Sequence, residues 1–402
     1  MTRLEPSWLA EAPVQRLLAA LGAAGIEARF VGGCVRDALL GIETGDIDVA
    51  TPARPEAVMA ALEAAEIKAL PTGLAHGTVT AVLPPRIFEI TTLRRDVETD
   101  GRHAVVAFDA DWAEDAARRD FTINAIYLAP DGTIFDPVGG QVDLAARRVR
   151  FVRDPATRIA EDVLRALRYY RFEARFGGSE GDVGARAACR DATGQLPTLS
   201  AERVWRELSR LIGGPDPVRA LAMMRDDGVL AAILPEAMRL DRLAAVLPLA
   251  AADDVILRVA ALVEVGPAGA KALAARLRLS TADAKRLSDL AAPWPIDPAG
   301  DAKAQRLAIY RCGTERYGDL ALLLAADGKL KPTALRKLIE LAESWEIPVF
   351  PLGGDDVTAL GIAPGPRVGR LLAAVQRWWE EGDFTADRAG CLARLKEIAA
   401  QP

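Results

Sequence analysis

A chain of 402 residues, 50% hydrophobic and 26% charged, has room for two to four packed units at ~100–200 residues per domain, and reads as a soluble multidomain protein. Its net charge of −6 argues against a protein that coats nucleic acid indiscriminately, so any basic surface must be local. Cys34, Cys189, Cys312 and Cys391 stand far apart with no C-x-x-C spacing. That suggests neither a zinc site nor a disulfide framework, so no disulfide partner is expected, and a reducing cytoplasm fits best. The start, Met1 to Trp8, lacks a basic segment followed by an apolar core, and no apolar run approaches the ~18 residues of a membrane span.

In chain order, the pattern predicts a helix over 7–25 with Ser7 as N-cap, Leu17, Leu18 and Leu21 on its apolar stripe and Gly25 as its stop. A strand follows at 28–31. Gly32-Gly33 turns the chain into a short helix ending near Leu40; 46–50 is a second strand and 55–66 a helix entered through Thr51-Pro52. The β-branched alternation of 78–83 and 87–93, joined by Pro84-Pro85-Arg86, predicts an antiparallel hairpin. A second hairpin, 123–128 with 133–135, turns at Asp131-Gly132. From Ala156 onward strand signals nearly vanish and helical periodicity runs to the end. The fold class is therefore an α/β head, a mixed sheet with helices over 1–150, followed by all-α segments. Breaks at 177–179, 213–215, 293–295 and 364–366 divide these into a neck (151–215), a body (216–292) and a tail (293–402). No repeat of fixed period is present.

The chemistry concentrates near the start. If Ile47 lies in a strand, Asp46 and Asp48 point to one face. Two carboxylates so close repel each other, and hard oxygen donors of this kind suit Mg2+. Gly32 and Gly33, without a Cβ, let a triphosphate approach the N–H groups of the following helix, with Arg36 one turn in. A Gly-Gly before a helix is by itself usually only a turn; Asp-x-Asp downstream gives it meaning. Such a pair can hold two Mg2+ ions, which is most of what phosphoryl transfer asks of a protein. Glu89, on the neighbouring strand, is a third carboxylate or an exposed strand residue. The only histidines, His76 and His103, are too few for a His-rich metal centre. In Arg118-Arg-Asp-Phe-Thr-Ile-Asn124, Arg118 or Arg119 can reach phosphate and Asp120 or Asn124 a ribose hydroxyl; a salt-bridged loop is the bland alternative.

Residues 147–175 carry nine arginines against four acids, the basic island of an acidic chain or a solvated face in a protein that prefers Arg to Lys. Within it, a helix over 159–176 buries Ile159, Val163, Leu167, Tyr170 and Ala174. Asp162 and Arg165 are neighbours at i, i+3, ordinarily a surface salt bridge worth ~0–1 kcal/mol. Beside a nucleotide they present an acceptor next to a donor, matching cytosine and adenine and rejecting uracil and guanine. Arg168 and Arg171 continue along the helix toward ring or phosphates. Near the C-terminus, adjacent Trp378 and Trp379 cannot share a helix face, so one packs inside and the other covers a contact or stacks on RNA.

Taken in order, Val31-Gly-Gly-Cys-Val-Arg-Asp-Ala-Leu-Leu-Gly41 with Asp46-Ile-Asp48, Arg118-Arg-Asp-Phe-Thr-Ile-Asn-Ala125 and Glu161-Asp-Val-Leu-Arg-Ala-Leu-Arg-Tyr-Tyr-Arg-Phe172 resemble the motifs of class II CCA-adding tRNA nucleotidyltransferases and bacterial poly(A) polymerases, in the polymerase-beta-like nucleotidyltransferase superfamily. The resemblance implies Asp46 and Asp48 as metal ligands, Arg118 to Asn124 as ribose and phosphate contacts, and Asp162 with Arg165 as a protein template for the incoming base. It implies Mg2+ as cofactor, CTP and ATP as substrates, and tRNA as the partner gripped by the helical remainder. Poly(A) addition, or addition of only C or only A, uses the same motifs; an acidic chain without a basic tail leans toward tRNA, which is recognised by shape as well as charge.

Overall fold

The computed structural model describes residues 3–401 except 75–76, 100–103, 109, 179, 252 and 293–294. Both histidines and the Pro293-Trp294 break lie outside the described residues. Two compact units divide the chain, Met1–Pro235 and Glu236–Pro402.

In the first unit a 3-10 turn, Ser7–Ala10, precedes α1 (Ala12–Ala23), where one helix was expected. The reason is Pro13: lacking an N–H it belongs in a helix's first turn, and Glu11 ahead of it is extended, at φ −64°, ψ 140°. Then come β1 (Arg29–Val31), α2 (Gly33–Leu39), β2 (Ile47–Thr51), α3 (Pro55–Ala64), β3 (Lys68–Gly73), β4 (Thr78–Leu83) and β5 (Arg86–Thr92). A ribbon of β6 (Arg95–Thr99) and β7 (Ala104–Ala107) leads to α4 (Trp112–Ala117), a 3-10 turn at Thr122–Asn124, β8 (Tyr127–Leu128), β9 (Ile134–Phe135) and α5 (Gly140–Ala145). The main sheet has the order β3-β4-β5-β2-β1-β8-β9, in which only β2 and β5 are parallel. The sequence did not announce β3: its residues are mostly exposed, so they carry no alternation.

Alternation gives this sheet two different faces. Phe30, Ile47, Val49, Phe88 and Ile90 pack under α1 and α3 against Leu17, Leu21, Val58 and Leu62. Val31 and Ala50 turn to the other side, onto a smaller core with Ala116, Ala125 and Tyr127. Asp48 and Glu89, one residue out of phase with the large core, share this second side.

The predicted helix over 159–176 is two helices, α6 (Pro155–Glu161) and α7 (Leu164–Phe176). Asp162 between them is extended, at φ −156°, ψ 107°, and its Oδ1 accepts the N–H of Leu164 at 3.1 Å, restarting the helix as a capping residue does. Val163 is accordingly half-buried rather than core, while Ile159, Leu167, Tyr170 and Ala174 are buried as expected. Aromatic rings fasten α7 to the sheet domain: Phe121 lies 4.9 Å from Phe172 and 4.8 Å from Phe151, which lies 5.9 Å from Tyr169. The first unit ends with α8 (Val183–Asp191), α9 (Ala201–Ile212), α10 (Pro217–Asp226) and α11 (Val229–Ile233).

Among its described residues the second unit is built of helices, from α12 (Leu240–Val246) to α20 (Pro366–Glu381) and α21 (Arg388–Ala399), with one isolated antiparallel bridge between Ala237 and Val263. Trp379 is buried with its Nε1 donating to Ala386 O at 2.9 Å, and Trp378 is half-buried with Arg394 over its ring at 5.8 Å. No helix among the described residues is long and apolar enough to cross a membrane, and all four cysteines are free.

Because Phe121 is fully buried at the centre of the ring cluster, Phe121→Ala should cost about 3–5 kcal/mol in urea unfolding. A loss below about 1 kcal/mol would mean the rings do not tie α7 to the sheet domain.

Candidate functional site

The glycine turn and the acidic strand meet at one cleft. Gly32 has φ 77° and ψ −124°, backbone that a residue with a Cβ resists, so the abrupt passage from β1 into α2 depends on glycine. Gly33, Arg36, Gly45, Asp46 and Asp48 line a cleft of ≈ 650 Å³, faced by Arg171 and Arg175 of α7 and by Arg210 and Gly213 to Pro215 at the end of α9. Asp46 and Asp48 thus share one side with Arg36, and the guanidinium groups of α7 and α9 stand on the other. Arg175, Arg210 and the Gly213-Gly214-Pro215 turn were not anticipated as site residues. Only tertiary packing brings α9 here, and the turn signalled no more than a break.

Asp48 sits opposite Glu89 in the parallel ladder. Burial, the Glu89 charge and Asp46 together push its carboxyl up to about 6, with Arg119 pulling the other way. Among the described residues no hydrogen-bond donor or ion-pair partner serves the side chains of Asp46, Asp48 or Glu89. Their anionic oxygens are left to something else. No group of three or more His, Cys, Asp or Glu side chains converges as a metal site among the described residues, so Glu89 does not complete a three-carboxylate cluster. Two unpartnered carboxylates beside an open cleft still suit Mg2+, which usually takes one or two protein carboxylates and fills its shell with water and substrate phosphate oxygens.

Behind the cleft the arginines are held by buried acids. Arg36, 7% exposed, donates to Asp37 at 2.9 Å and to Asn124 Oδ1 at 2.5 Å, and lies 4.1 Å over the Phe176 ring. Asn124 in turn donates to Asp120 Oδ1 at 3.1 Å, and Asp120 Oδ2 accepts from Arg168 Nε at 2.8 Å. Burial works against the ionised Asp120, but Arg168, Asn124 and the Phe121 N–H hold its carboxyl down at about 2. Glu207 of α9 receives Arg171 at 2.5 Å. Arg118 and Arg119 do not reach into the cleft: Asp115, 1% exposed, accepts from Arg118 Nε at 2.9 Å, Arg119 Nε at 3.2 Å and Tyr127 OH at 2.7 Å. Asp115 was missed, since in sequence it is one acid among many in a charged stretch.

The expected Asp162–Arg165 pair does not form. The helix break takes Asp162 off the face that an i, i+3 pair requires. Its Oδ2 instead accepts from Arg203 of α9 at 2.7 Å. Arg165 uses Nη1 to bond Arg158 O at 2.9 Å and Glu161, which leaves its Nε and Nη2 without a hydrogen-bond partner among the described residues. Neither residue lines the cleft that holds Asp46 and Asp48.

Residues 28–150 match the family model described as the poly A polymerase head domain, and 184–240 the one described as a probable RNA and SrmB-binding site of polymerase A. The chain is 33% identical over 389 residues to the mitochondrial CCA tRNA nucleotidyltransferase 1 of Mus musculus, covering 92% of this chain and 87% of that protein. It is 40% identical over 207 residues to the CCA-adding enzyme of Geobacillus thermodenitrificans, 51% of this chain and 50% of that one. Among solved structures, the Bacillus stearothermophilus CCA-adding enzyme in complex with CTP superposes with a TM-score of 0.78 at 29% identity, over 97% of this chain and 98% of the other.

An acid whose folded-state pKa is raised costs stability when ionised. For Asp48 that cost is full above about 6 and vanishes as pH falls below the ordinary 3.8. In chelator, Asp48→Asn should therefore melt above the wild type near pH 8, the gap closing as pH is lowered toward about 4. Added Mg2+ should raise the wild-type melting temperature but not the variant's. Equal melting temperatures at the alkaline end would mean that Asp48 is not strained by its neighbours.

Proposed function

The chain belongs to the family of CCA-adding tRNA nucleotidyltransferases and bacterial poly(A) polymerases, and from that premise we infer how its cleft performs the family's chemistry. It is a CCA tRNA nucleotidyltransferase, adding CMP and AMP to the 3′ end of tRNA from CTP and ATP without a nucleic-acid template. The observation that carries the site reading is the cleft itself, with Arg36 and two carboxylates unpartnered among the described residues on one side and Arg171, Arg175 and Arg210 on the other. An anionic triphosphate fits between them, its charge met by guanidinium groups already oriented by Asp37, Asn124 and Glu207.

In the reaction the tRNA 3′-hydroxyl oxygen bonds to the α-phosphorus, the bond from that phosphorus to the α–β bridging oxygen breaks, pyrophosphate leaves and the hydroxyl proton passes to solvent. Enzymes of this family normally use a divalent metal, and Asp46 and Asp48 are the residues proposed to hold it. Bound Mg2+ supplies a lower hydroxyl pKa and charge neutralisation at the departing pyrophosphate. Gly32 and Gly33 let the phosphates close on the backbone, while Asp120 and Asn124, locked by Arg168, hold the ribose edge. Arg118 and Arg119 act from behind through Asp115, and Arg119 also moderates the charge of Asp48. Glu89 sharpens the demand for a cation by repelling Asp48. For the base, Asp162 keeps unshared lone pairs beside its bonds to Leu164 and Arg203, and the Nε and Nη2 of Arg165 supply donors, the complement of cytosine or adenine. The proposed division is a catalytic head over 1–150, a base-selecting neck over 151–215, a body over 216–292 and an RNA-gripping tail over 293–402. The cytoplasm is the proposed place of action.

Given CTP, ATP and a tRNA transcript ending before CCA, the protein should stop after three additions; long A tracts on generic RNA would overturn the tRNA reading. Asp46→Ala and Asp48→Ala should abolish incorporation, and full activity in either would remove it from the site. Asp162→Ala should lower discrimination of C and A against U and G by about 10- to 100-fold, the worth of a lost hydrogen bond to a desolvated base. Unchanged selectivity would discard the template role.

A further inference from the structure

Asp46 lies outside the sheet that fixes Asp48. The parallel ladder between β2 and β5 stops at Ile47 and Phe88, so no ladder bonds hold the residue ahead of it. From Gly41 to Asp46 the connection is exposed except at half-buried Thr44, the kind of backbone that opens locally at little cost. A ligand of a divalent cation needs better placement than that.

Arg86, the first residue of β5, takes over where the ladder ends. Its Nη1 donates to Thr44 O at 3.3 Å and to Gly45 O at 3.0 Å. Its other edge forks onto Glu11, Nε to Oε2 at 2.8 Å and Nη2 to Oε1 at 2.7 Å. Glu11 is the residue flanking the start of α1, the helix whose Leu17 and Leu21 are embedded in the large core. The last link is Thr44, whose Oγ1 donates to Asp46 O at 3.0 Å. A continuous path of hydrogen bonds thus runs from a core helix to the backbone of Asp46. A lysine could not stand in for Arg86, since one ammonium cannot present a planar fork to a carboxylate and still reach two carbonyls.

We propose that Arg86 and Glu11 form a positioning clamp that sets the loop Gly41–Asp46, and with it the Asp46 carboxylate, for divalent cation binding. The proposal rests on Asp46 being a cation ligand. Neither clamp residue lines the nucleotide cleft, so both act through the loop.

The test measures Mn2+ affinity directly, from the loss of the free-ion EPR signal, together with the Mg2+ dependence and the CTP KM of incorporation. Arg86→Gln should weaken Mn2+ binding and raise the half-maximal Mg2+ by about 10-fold, the usual scale for removing an outer support of a metal site. The CTP KM at saturating Mg2+ should move far less, which a general loss of structure would not produce. Arg86→Lys should fail to restore affinity. Glu11→Gln, at a partly exposed side chain, should shift Mn2+ binding in the same direction and serves if Arg86→Gln folds poorly. Wild-type Mn2+ affinity in Arg86→Gln and Glu11→Gln, alongside a weakened Asp46→Ala, overturns the clamp alone. Wild-type affinity in Asp46→Ala overturns the ligand assignment and the clamp with it.

Discussion

Asp48 and Glu89 face each other across a parallel ladder with Asp46 two residues away, and among the described residues no hydrogen-bond donor serves their side chains, Arg119 acting on Asp48 only through its charge. Register imposes this arrangement. Phe88 and Ile90 must point into the large core beside Ile47 and Val49, so the acids between them must share the opposite side, and a slip of one residue would bury the acids and expose the apolar set. The fold's own packing thus holds negative charge where it is least comfortable. A divalent cation and an anionic triphosphate are the partners we propose for this arrangement.

The arginines in and behind the cleft depend on preorganisation. An arginine left to itself would sample many rotamers and lose that freedom on binding a phosphate. Here Arg36, Arg168 and Arg171 have already been ordered by Asp37, Asn124, Asp120 and Glu207 and by stacking on Phe172 and Phe176. The same rings seat α7 against Phe121. Aromatic packing, the acid–guanidinium network and the cleft are therefore one construction, in which stability and positive charge are spent at the same place.

Strand alternation made the acidic face readable in advance, because period two in β2 and β5 is fixed by the core beneath it. The glycine turn was readable for a similar reason: few residues other than glycine enter a helix from a strand so abruptly. The helix through Asp162 was misjudged because the apolar spacing runs on across the break, while the cause of the break is a single side chain accepting the Leu164 N–H. An Asp just ahead of Val163-Leu164 was the available signal, a cap before an apolar run. Asp115, Arg203 and Glu207 had no local signature, since their meaning lies in partners far along the chain or hidden by a charged neighbourhood. β3 was silent because most of its residues are exposed, so no buried face imposes alternation on them.

Asp48 is a carboxylate strained by its neighbours, and we propose that a cation relieves it. Carboxyl carbon NMR of the protein, with Asp48→Asn to assign the resonance, measures this directly. Asp48 should titrate near 6 without divalent cations, moving below the ordinary carboxylate range when Mg2+ and a non-reacting CTP analogue are added. Titration at the ordinary value near 3.8, unmoved by Mg2+, would contradict it.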